Sequence, residues 1–270
     1  MTTKRKRTCR VCGTALAGDN EVCPVCALRK ALKPRYLGDK SARLRFLRKA
    51  RSAARLRHSN VASVLNLGKS GANYLYAMEF VEEETLETLI KRSGRLEVRL
   101  ALGITSEVAA GLAVHEQHLV HRDIKPTNIM VSLKDDGRVT AKITDLGLAK
   151  AVNEPLSEAA ISVPGAFAGT PGFASREQFA GVGVDIRSDL YSLGVTLWEM
   201  LTGEVPFRGS PAGVTYQHRR DRLPVERLKG VPQPLVVLLE KDPGRRFQSP
   251  AELLKVMPTV RGAINAGFPS

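Results

Sequence analysis

One eight-residue stretch concentrates the groups in this chain that could carry out chemistry. It reads His121-Arg122-Asp123-Ile124-Lys125-Pro126-Thr127-Asn128 and lies between apolar runs. A carboxylate can take the proton of an attacking hydroxyl, and an amide oxygen can bind Mg²⁺. The pattern H-R-D-x-x-x-x-N is typical of phosphoryl transfer to a hydroxyl group. We therefore predict that Asp123 is the base of such a reaction and that Asn128 is a magnesium ligand.

Length and composition limit what kind of protein this is. With 270 residues the chain can form one large domain, or a large domain with a small one. It has no uninterrupted apolar run of about 20 residues, as a membrane helix needs, and no apolar secretory signal at its N-terminus. We expect a cytoplasmic protein without a membrane segment.

The net charge of +14 is concentrated in one part of the sequence. Between Glu21 and Glu79 the only acidic residue is Asp39, whereas Lys and Arg are frequent there. Such a charge attracts nucleic acid, acidic proteins or phosphate ligands without specifying any of them. Since nucleic-acid binding would rest on charge alone, we consider it unlikely in comparison with the chemistry above.

All four cysteines lie near the N-terminus, as Cys9-x-x-Cys12 and Cys23-x-x-Cys26. Two C-x-x-C knuckles can supply four thiolates to a tetrahedral Zn²⁺ at about 2.3 Å. The alternatives are disulfides or idle thiols, and the lack of a secretory signal argues against disulfides. The spacing predicts a structural zinc site formed by all four cysteines.

Apolar periodicity predicts the elements that position the eight-residue stretch. A helix over 98–115 leads into it, and two strands over 129–131 and 140–144 follow it. A helix over 185–202 is apolar on several faces, which is typical of the centre of a domain. Residues 148–174 show no periodicity and predict a long functional loop. The other predicted elements are a basic helix over 41–57, strands over 61–67 and 73–78, and helices over 86–91, 211–218, 234–240 and 249–257.

Five motifs, in this order, resemble those of the bacterial-type Ser/Thr protein kinases over about residues 42–260. Five matches at workable spacing exclude a chance likeness. They are His121-Arg122-Asp123 with Lys125, Pro126 and Asn128; Asp145-Leu146-Gly147; Gly169-Thr170-Pro171-Gly172-Phe173; Ser188-Asp189-Leu190-Tyr191-Ser192-Leu193-Gly194; and Asp242-Pro243-Gly244-Arg245-Arg246.

The resemblance implies roles at the reacting groups. Asp123 would orient and deprotonate the incoming hydroxyl, and Lys125 would steady the γ-phosphate of ATP. Asn128 and Asp145 would hold Mg²⁺ against the β- and γ-phosphates. Lys125 and Thr170 resemble the Ser/Thr branch of the family rather than the tyrosine branch.

The resemblance also implies roles in nucleotide binding. Met130 resembles the residue under the adenine ring. The backbone of Glu79 and Val81 resembles the hinge that hydrogen-bonds the adenine.

Other residues would act in support or regulation. Asp189 would anchor the catalytic loop from the central helix, and Glu177 would form a buried ion pair with Arg246. Arg122, next to the catalytic Asp, suggests a phosphate-sensing site with Ser157 or Ser162 as the phosphoacceptor. Alternatively, both serines are ordinary loop residues.

The N-terminal part departs from the family pattern. Only fourteen residues separate Cys26 from Ser41, whereas three strands with their turns need about 30. No G-x-G-x-x-G precedes the basic helix, and that helix has Lys49 but no Glu. We therefore expect the Gly-rich loop and the strand lysine to be absent, although Lys33 or Lys40 could reach the phosphates. A smaller departure is Arg176, where the family usually has proline.

The predicted fold is α+β and kinase-like, with a mainly α-helical C-lobe, a much reduced N-lobe and a small zinc knuckle. The predicted function is transfer of the γ-phosphate of ATP, with Mg²⁺, to Ser or Thr hydroxyls of a protein substrate, with weak activity. The alternative is a pseudokinase scaffold that binds a signalling partner. The predicted divisions are 1–30 for the zinc-ribbon-like segment and basic tail, 41–82 for the N-lobe remnant, 83–260 for the C-lobe and 261–270 for the tail.

Overall fold

Three strands that precede the described helices in the sequence form a small antiparallel sheet. In the computed structural model it contains β1 (Lys30–Ala31), β2 (Val64–Ser70) and β3 (Asn73–Met78), in the order β1-β3-β2. The residues that the structure describes are 30–31, 54–70, 73–79, 81, 83–116, 120–145, 170–228 and 233–265.

The first sheet agrees only in part with the sequence prediction. The strand over 73–78 is confirmed, whereas the preceding strand lies at Val64–Ser70 instead of 61–67. The predicted turn begins too early because backbone pairing continues through Gly68 to the Ser70–Asn73 pair. The strand β1 is not predicted at all, and its two residues lie opposite Tyr76 and Leu75.

A second antiparallel sheet adjoins the loop that is predicted to be catalytic, since its second strand begins directly after Asn128. It consists of β4 (Glu84–Thr85), β5 (Ile129–Leu133) and β6 (Val139–Ile143) in that order. The predicted strands over 129–131 and 140–144 are thus confirmed to within two residues. The amide of Ala62 donates to the carbonyl of Ile143 at 2.9 Å, so the chain that enters the first sheet is attached to the end of β6.

Two long helices form the centre of the helical body. They are α2 (Val98–Glu116) and α4 (Ile186–Thr202), and both agree closely with the predicted bounds. Asp185 caps α4 by accepting a hydrogen bond from the amide of Arg187, and Gly203 ends it with a φ of 78°. Most of α4 is buried, including Trp198, as the all-round apolar pattern predicts.

Shorter helices surround this pair. Helix α1 (Leu86–Ser93) begins at Thr85, whose hydroxyl accepts from the amide of Thr88 at 3.1 Å. Three further helices lie near the positions predicted at 211–218, 234–240 and 249–257, and a fifth, short helix that is not predicted follows Ser175. In chain order these elements are α3 (Arg176–Ala180), α5 (Pro211–Arg220), α6 (Gln233–Val236) with a 3₁₀ turn over Val237–Leu239, and α7 (Pro250–Asn265).

Helix α7 continues well past the predicted end at residue 257. Pro258 lies inside the helix, where a proline costs about 3 kcal/mol in an exposed setting. The helix nevertheless continues because Met257 and Val260 are buried in the core and Arg261 donates to the carbonyl of Leu102 on α2. Tertiary packing therefore outweighs the local preference.

Several predicted features lie outside the described residues. They are the four cysteines of the predicted zinc site, residues 41–53 of the predicted basic helix, and the loop with Ser157 and Ser162. Among the residues that are described, no helix is both long and apolar enough to cross a bilayer.

Candidate active site

The catalytic-loop residues predicted from the sequence come together in the structure. The side-chain amide of Asn128 donates to the Asp123 carbonyl at 2.8 Å and to its Oδ2 at 3.1 Å. The Lys125 ammonium lies 3.4 Å from the same Oδ2. Both charged side chains are largely buried, with 14% of Asp123 and 19% of Lys125 exposed, so their interaction is only partly screened by water.

Lys125 connects the catalytic loop to Thr170. Its Nζ donates to the Thr170 hydroxyl at 2.7 Å, across 45 positions of sequence. Thr170 is followed directly by a 3₁₀ turn at Pro171–Phe173. The ammonium therefore contacts both the candidate base and the segment that would lie against a substrate.

The central helix holds the backbone of the catalytic loop in place. Asp189 on α4 is fully buried, and its two carboxylate oxygens accept from the amides of His121 and Arg122, each at 2.7 Å. Arg122 has a φ of 65°, in the left-handed region that a non-glycine residue seldom adopts. Two charge-assisted hydrogen bonds thus stabilise a strained residue next to Asp123.

Asp145 is placed beside the loop by the residue that precedes it. The amide of Thr144 donates to the Asn128 carbonyl at 2.8 Å, and the ring of His121 bonds to the Thr144 carbonyl at 3.0 Å. Asp145 follows immediately, with a φ of 59°. The end of β6 and the catalytic loop are thereby locked together.

The donor groups at this point suit Mg²⁺. The amide nitrogen of Asn128 is directed to Asp123, so the amide oxygen is the atom left for a cation. An amide oxygen and the carboxylate of Asp145 are hard oxygen ligands of the kind Mg²⁺ takes, usually together with phosphates. Within the described residues no three His, Cys, Asp or Glu side chains are placed to hold a metal by themselves.

Glu79, at the predicted hinge, is fixed to both neighbouring segments. Its amide donates to the Ser63 carbonyl at 2.8 Å, and its carboxylate accepts from the Ser63 amide at 3.1 Å and pairs with Lys142. Partial burial works against ionisation, but Lys142 and Ser63 outweigh it and lower the pKa of Glu79. Lys142 is the cross-strand partner of Met130, which is buried on β5. Val81 is half-buried between two residues outside the described part.

A buried ion pair fixes the segment after Thr170. Arg246 contacts Glu177 through both carboxylate oxygens, at 2.6 and 3.1 Å, and its side chain is completely buried. Ser188 donates a further bond to Glu177 at 2.7 Å. Burial alone would raise the pKa of Glu177, but the hydrogen bond and charge of Arg246, with Ser188, hold it below its ordinary value.

Strand β1 reveals a lysine that sequence reasoning did not select. Lys30 lies opposite Tyr76 on β3, two residues before Met78. Only the flanking apolar pairs, Ala27-Leu28 and Ala31-Leu32, mark this short strand in the sequence. Lys33 and Lys40, the lysines considered from the sequence, lie outside the described residues.

Comparison with known proteins identifies the family. Residues 20–253 match the family model for the protein kinase domain. A probable serine/threonine-protein kinase of Clostridium acetobutylicum is 35% identical over 241 residues, covering 86% of this chain and 35% of that protein. The serine/threonine-protein kinase PknB of Mycobacterium leprae is 37% identical over 236 residues, covering 83% of this chain and 37% of its own length. The chain thus spans about a third of the length of these relatives.

Solved structures show the same fold. The kinase domain of PknI from Mycobacterium tuberculosis superposes with a TM-score of 0.61 at 25% identity, covering 86% of this chain and 84% of that chain. The predicted kinase-like fold is therefore confirmed. Since the family model spans most of the sequence and the fold agrees with it, this chain belongs to the protein kinase family.

Proposed function

We propose that this chain transfers the γ-phosphate of ATP to Ser or Thr hydroxyls of a protein substrate. The observation that carries the proposal is a set of three linked contacts. Asn128 contacts the Asp123 carboxylate at 3.1 Å, Lys125 lies 3.4 Å from the same carboxylate, and Lys125 donates to Thr170 at 2.7 Å. Membership of the protein kinase family and the relatives named as serine/threonine kinases support the choice of phosphate donor and acceptor.

The geometry indicates how each residue would act. Asn128 orients the Asp123 carboxylate, which would accept the proton of the incoming hydroxyl. Lys125 would neutralise charge on the transferred phosphoryl group from a position fixed by Thr170. Asn128 and Asp145 would hold Mg²⁺, which supplies charge neutralisation at the β- and γ-phosphates.

We also propose Lys30 as the strand lysine that contacts the nucleotide phosphates. In the register of β1 and β3 the backbone of Lys30 is opposite Tyr76, two positions before Met78 and three before the predicted hinge residue Glu79. Kinases use a strand lysine in this way to pair with the α- and β-phosphates.

Turnover is proposed to be slow. No G-x-G-x-x-G precedes Lys30 in the sequence, so the phosphates would receive few backbone donors from above. A less covered site also admits water, which weakens every electrostatic contact within it. Catalysis would then depend mainly on the contacts from Asp123, Lys125 and Asn128 below the phosphates.

A phosphate-transfer assay with variants of two proposed contacts tests this function. The unmodified chain with labelled ATP, Mg²⁺ and a mixed protein substrate is expected to label Ser and Thr. Asp145→Ala and Lys30→Met should each lower the rate at least about tenfold, because each removes a contact to the charged phosphates. Lys91→Met is the matched control, since Lys91 is exposed and, among the described residues, pairs with Glu87 on α1. Equal transfer rates for Lys30→Met and Lys91→Met would contradict the proposed contact between Lys30 and the nucleotide phosphates.

The pseudokinase alternative is favoured by the same missing Gly-rich sequence. In that case the C-lobe would bind a signalling partner without transferring phosphate. A thermal-shift titration separates the two, because a ligand that binds only the native state raises the melting temperature. Binding of ATP with Mg²⁺ but no transfer would favour the pseudokinase, whereas transfer that is lost in Asp145→Ala would exclude it.

We further propose a structural zinc ion at Cys9, Cys12, Cys23 and Cys26. The four cysteines lie outside the described residues, so the support for this proposal is the spacing of the two knuckles in the sequence. The kinase family match begins at residue 20 and thus includes the second knuckle. Metal analysis of protein purified without chelator should give about one zinc per chain, and paired Cys23→Ser and Cys26→Ser changes should remove it. A zinc content near zero in the unmodified protein would contradict this proposal.

A further inference from the structure

Four cationic side chains surround one small cavity near the candidate active site. The cavity has a volume of about 280 Å³ and is lined by Arg176, Arg219, Arg220 and Lys241. None of these lining residues carries a carboxylate. A cavity whose described walls are all cationic has the electrostatic character of an anion site.

The cavity adjoins the catalytic loop through helix α3. Arg176 is the first residue of α3, six positions after Thr170. Gln178, on the same helix, donates to the carbonyl of Arg122 at 3.0 Å. The wall that carries Arg176 is therefore attached directly to the loop that carries Asp123.

Helix α5 supplies two further lining residues of the cavity. Arg219 and Arg220 are its last two residues, and both are exposed. The preceding residue, His218, is buried and bonds to the carbonyl of Gly172 at 3.0 Å. The arginines are thus held against the turn that follows Thr170.

The charges of the three arginines around the cavity are not neutralised by neighbouring carboxylates among the described residues. Within the described part of the chain, Arg176, Arg219 and Arg220 form no ion pair with a carboxylate within 4.0 Å. Exposed arginines can each present a planar pair of donors, which matches the oxygens of a phosphate or carboxylate.

Lys241 is the fourth lining residue of the cavity. Its ammonium donates to the His218 carbonyl at 2.9 Å and to the Tyr191 hydroxyl at 3.2 Å. Burial, together with the charge of Arg246, lowers the pKa of Lys241 to about 8, and Asp221 offsets this only in part. An anion in the cavity would stabilise the charged form of this lysine.

We propose that this cavity binds a phosphorylated or acidic residue of the protein substrate and thereby selects substrates that carry one. The inference rests on the proposed kinase function and adds the chemical class of its substrate. The family usually has proline at the position of Arg176, so this wall of the cavity carries a charge that the usual family pattern lacks. A phosphate should bind more tightly than a carboxylate, because it carries more charge and more acceptor oxygens.

The position of the cavity sets the spacing of the recognised residue. Helix α3 carries both Arg176, which lines the cavity, and Gln178, which bonds to the catalytic loop, so the cavity and the loop are neighbours. We expect a short extended segment of substrate, about three to five residues or about 10 to 15 Å long, to connect the two. The anionic residue should therefore lie about three to five positions from the acceptor hydroxyl.

Peptide binding and peptide phosphorylation, measured side by side, test the proposal. Labelled peptides share one acceptor serine and carry phosphoserine, Glu, Gln or Lys at each position three to five residues before or after it. Fluorescence anisotropy without nucleotide gives affinity, and the phosphorylation rate with ATP and Mg²⁺ gives selectivity. The variants are Arg219→Glu combined with Arg220→Glu, and Arg176→Gln. The control is Arg99→Glu, which changes an exposed arginine at a separate cavity of about 630 Å³ beside α2.

The expected results are specific. At one position the unmodified chain should bind the phosphoserine peptide at least about tenfold more tightly than the Lys peptide, with Glu between them. The Arg219 and Arg220 double variant should reverse this order, Arg176→Gln should weaken it a few fold, and Arg99→Glu should leave it unchanged.

Either of two results of the binding measurement would overturn the proposal. One is equal binding of all peptides by the unmodified chain, and the other is a preference that survives both the double variant and Arg176→Gln. A charge preference in binding without phosphorylation of any peptide would contradict the proposed kinase function and leave the anion site standing. Equal phosphorylation of every peptide would contradict only the anion site.

Discussion

The carboxylate of Asp189 accepts a hydrogen bond from the amide of Arg122 at 2.7 Å, although the two residues are 67 positions apart. Its other oxygen accepts from the amide of His121. Arg122 is held with a φ of 65°, so the buried helix α4 determines the backbone conformation immediately before Asp123. In this protein the stability of the fold and the geometry of the reacting groups are therefore coupled at one buried carboxylate.

Asp189→Asn should destabilise the fold and slow phosphate transfer. The asparagine has only one oxygen to accept from two amides, and its NH₂ group would face the second amide. We expect a loss of about 1–3 kcal/mol in the free energy of unfolding, measured with urea. Displacement of the loop should lower the transfer rate by up to about 100-fold. Asp135→Asn in an exposed turn is the control and should change neither quantity. A variant with unchanged stability would contradict the anchoring role.

Arg246→Ala should be among the most damaging substitutions. It leaves the carboxylate of Glu177 buried without its cation. We therefore expect the free energy of unfolding to fall by about 3–5 kcal/mol. Arg138→Ala breaks the exposed pair with Asp136 and should have no measurable effect on urea unfolding. If both variants unfold at the same urea concentration, the buried pair does not stabilise the segment.

His218 should make the fold less stable in acid. Its Nε2 donates to the Gly172 carbonyl, and its Nδ1 bonds to the Tyr191 hydroxyl, which accepts from Lys241 and can therefore donate its own proton to a neutral ring. Burial, with the nearby charge of Lys241, lowers its pKa from 6.5 to about 4. The unfolded state therefore binds a proton that the folded state refuses, and stability falls as the pH falls from about 6.5 to about 4. The loss should reach about 3 kcal/mol.

Unfolding measured across that pH range in the unmodified chain and in His218→Gln checks this expectation. The glutamine can keep one donor and one acceptor but does not titrate, so its stability should vary less between pH 6.5 and 4. His58→Gln, which changes a half-buried histidine elsewhere, should retain the full pH dependence. If the stability of His218→Gln falls with pH as steeply as that of the unmodified chain, His218 is not the group that destabilises the fold in acid.

Two helix glycines should respond to alanine in opposite directions. A Cβ on Gly111 would lie 2.8 Å from the Asn60 carbonyl oxygen and 2.9 Å from a methyl of Ile143. Gly111→Ala should therefore destabilise the fold by about 1–3 kcal/mol. Gly262 on α7 has no atom within 4 Å of such a Cβ, so Gly262→Ala should stabilise by about 0.5–1 kcal/mol. Thermal melts compare the two, and a gain in stability for Gly111→Ala would show that α2 does not pack this closely.

The elements of the fold that could be predicted are those whose pattern lies within one continuous segment of the sequence. Helices α2 and α4 have long apolar patterns, and the proposed catalytic residues from Asp123 to Asn128 occupy one loop. Strand β1 could not be predicted, because it is two residues long and exists only through pairing with β3, more than 40 positions away. Pro258 likewise misled the prediction, since packing against α2 is invisible in the local sequence.

The site shows the same division. The proposed roles of Asp123 and Asn128 come from their spacing and that of Lys125 from the family resemblance, but the bond from Lys125 to Thr170 depends on how two distant segments meet. The cationic cavity is a stronger case, because Arg176, Arg219 and Lys241 come from three separate segments. The sequence marks Arg176 only as a departure from the family pattern, and its neighbours in space give that departure a meaning.

The most direct test of the central claim is phosphate transfer by the unmodified chain compared with Asp123→Asn. The asparagine preserves the shape of the side chain and removes its ability to accept the hydroxyl proton. With ATP, Mg²⁺ and a protein substrate, the unmodified chain should label Ser and Thr, and Asp123→Asn should lower the rate by about 100-fold or more while its melting temperature stays close to that of the unmodified chain. Equal rates for the two proteins, or no transfer by the unmodified chain, would contradict the assignment of this loop as the catalytic centre of a protein kinase.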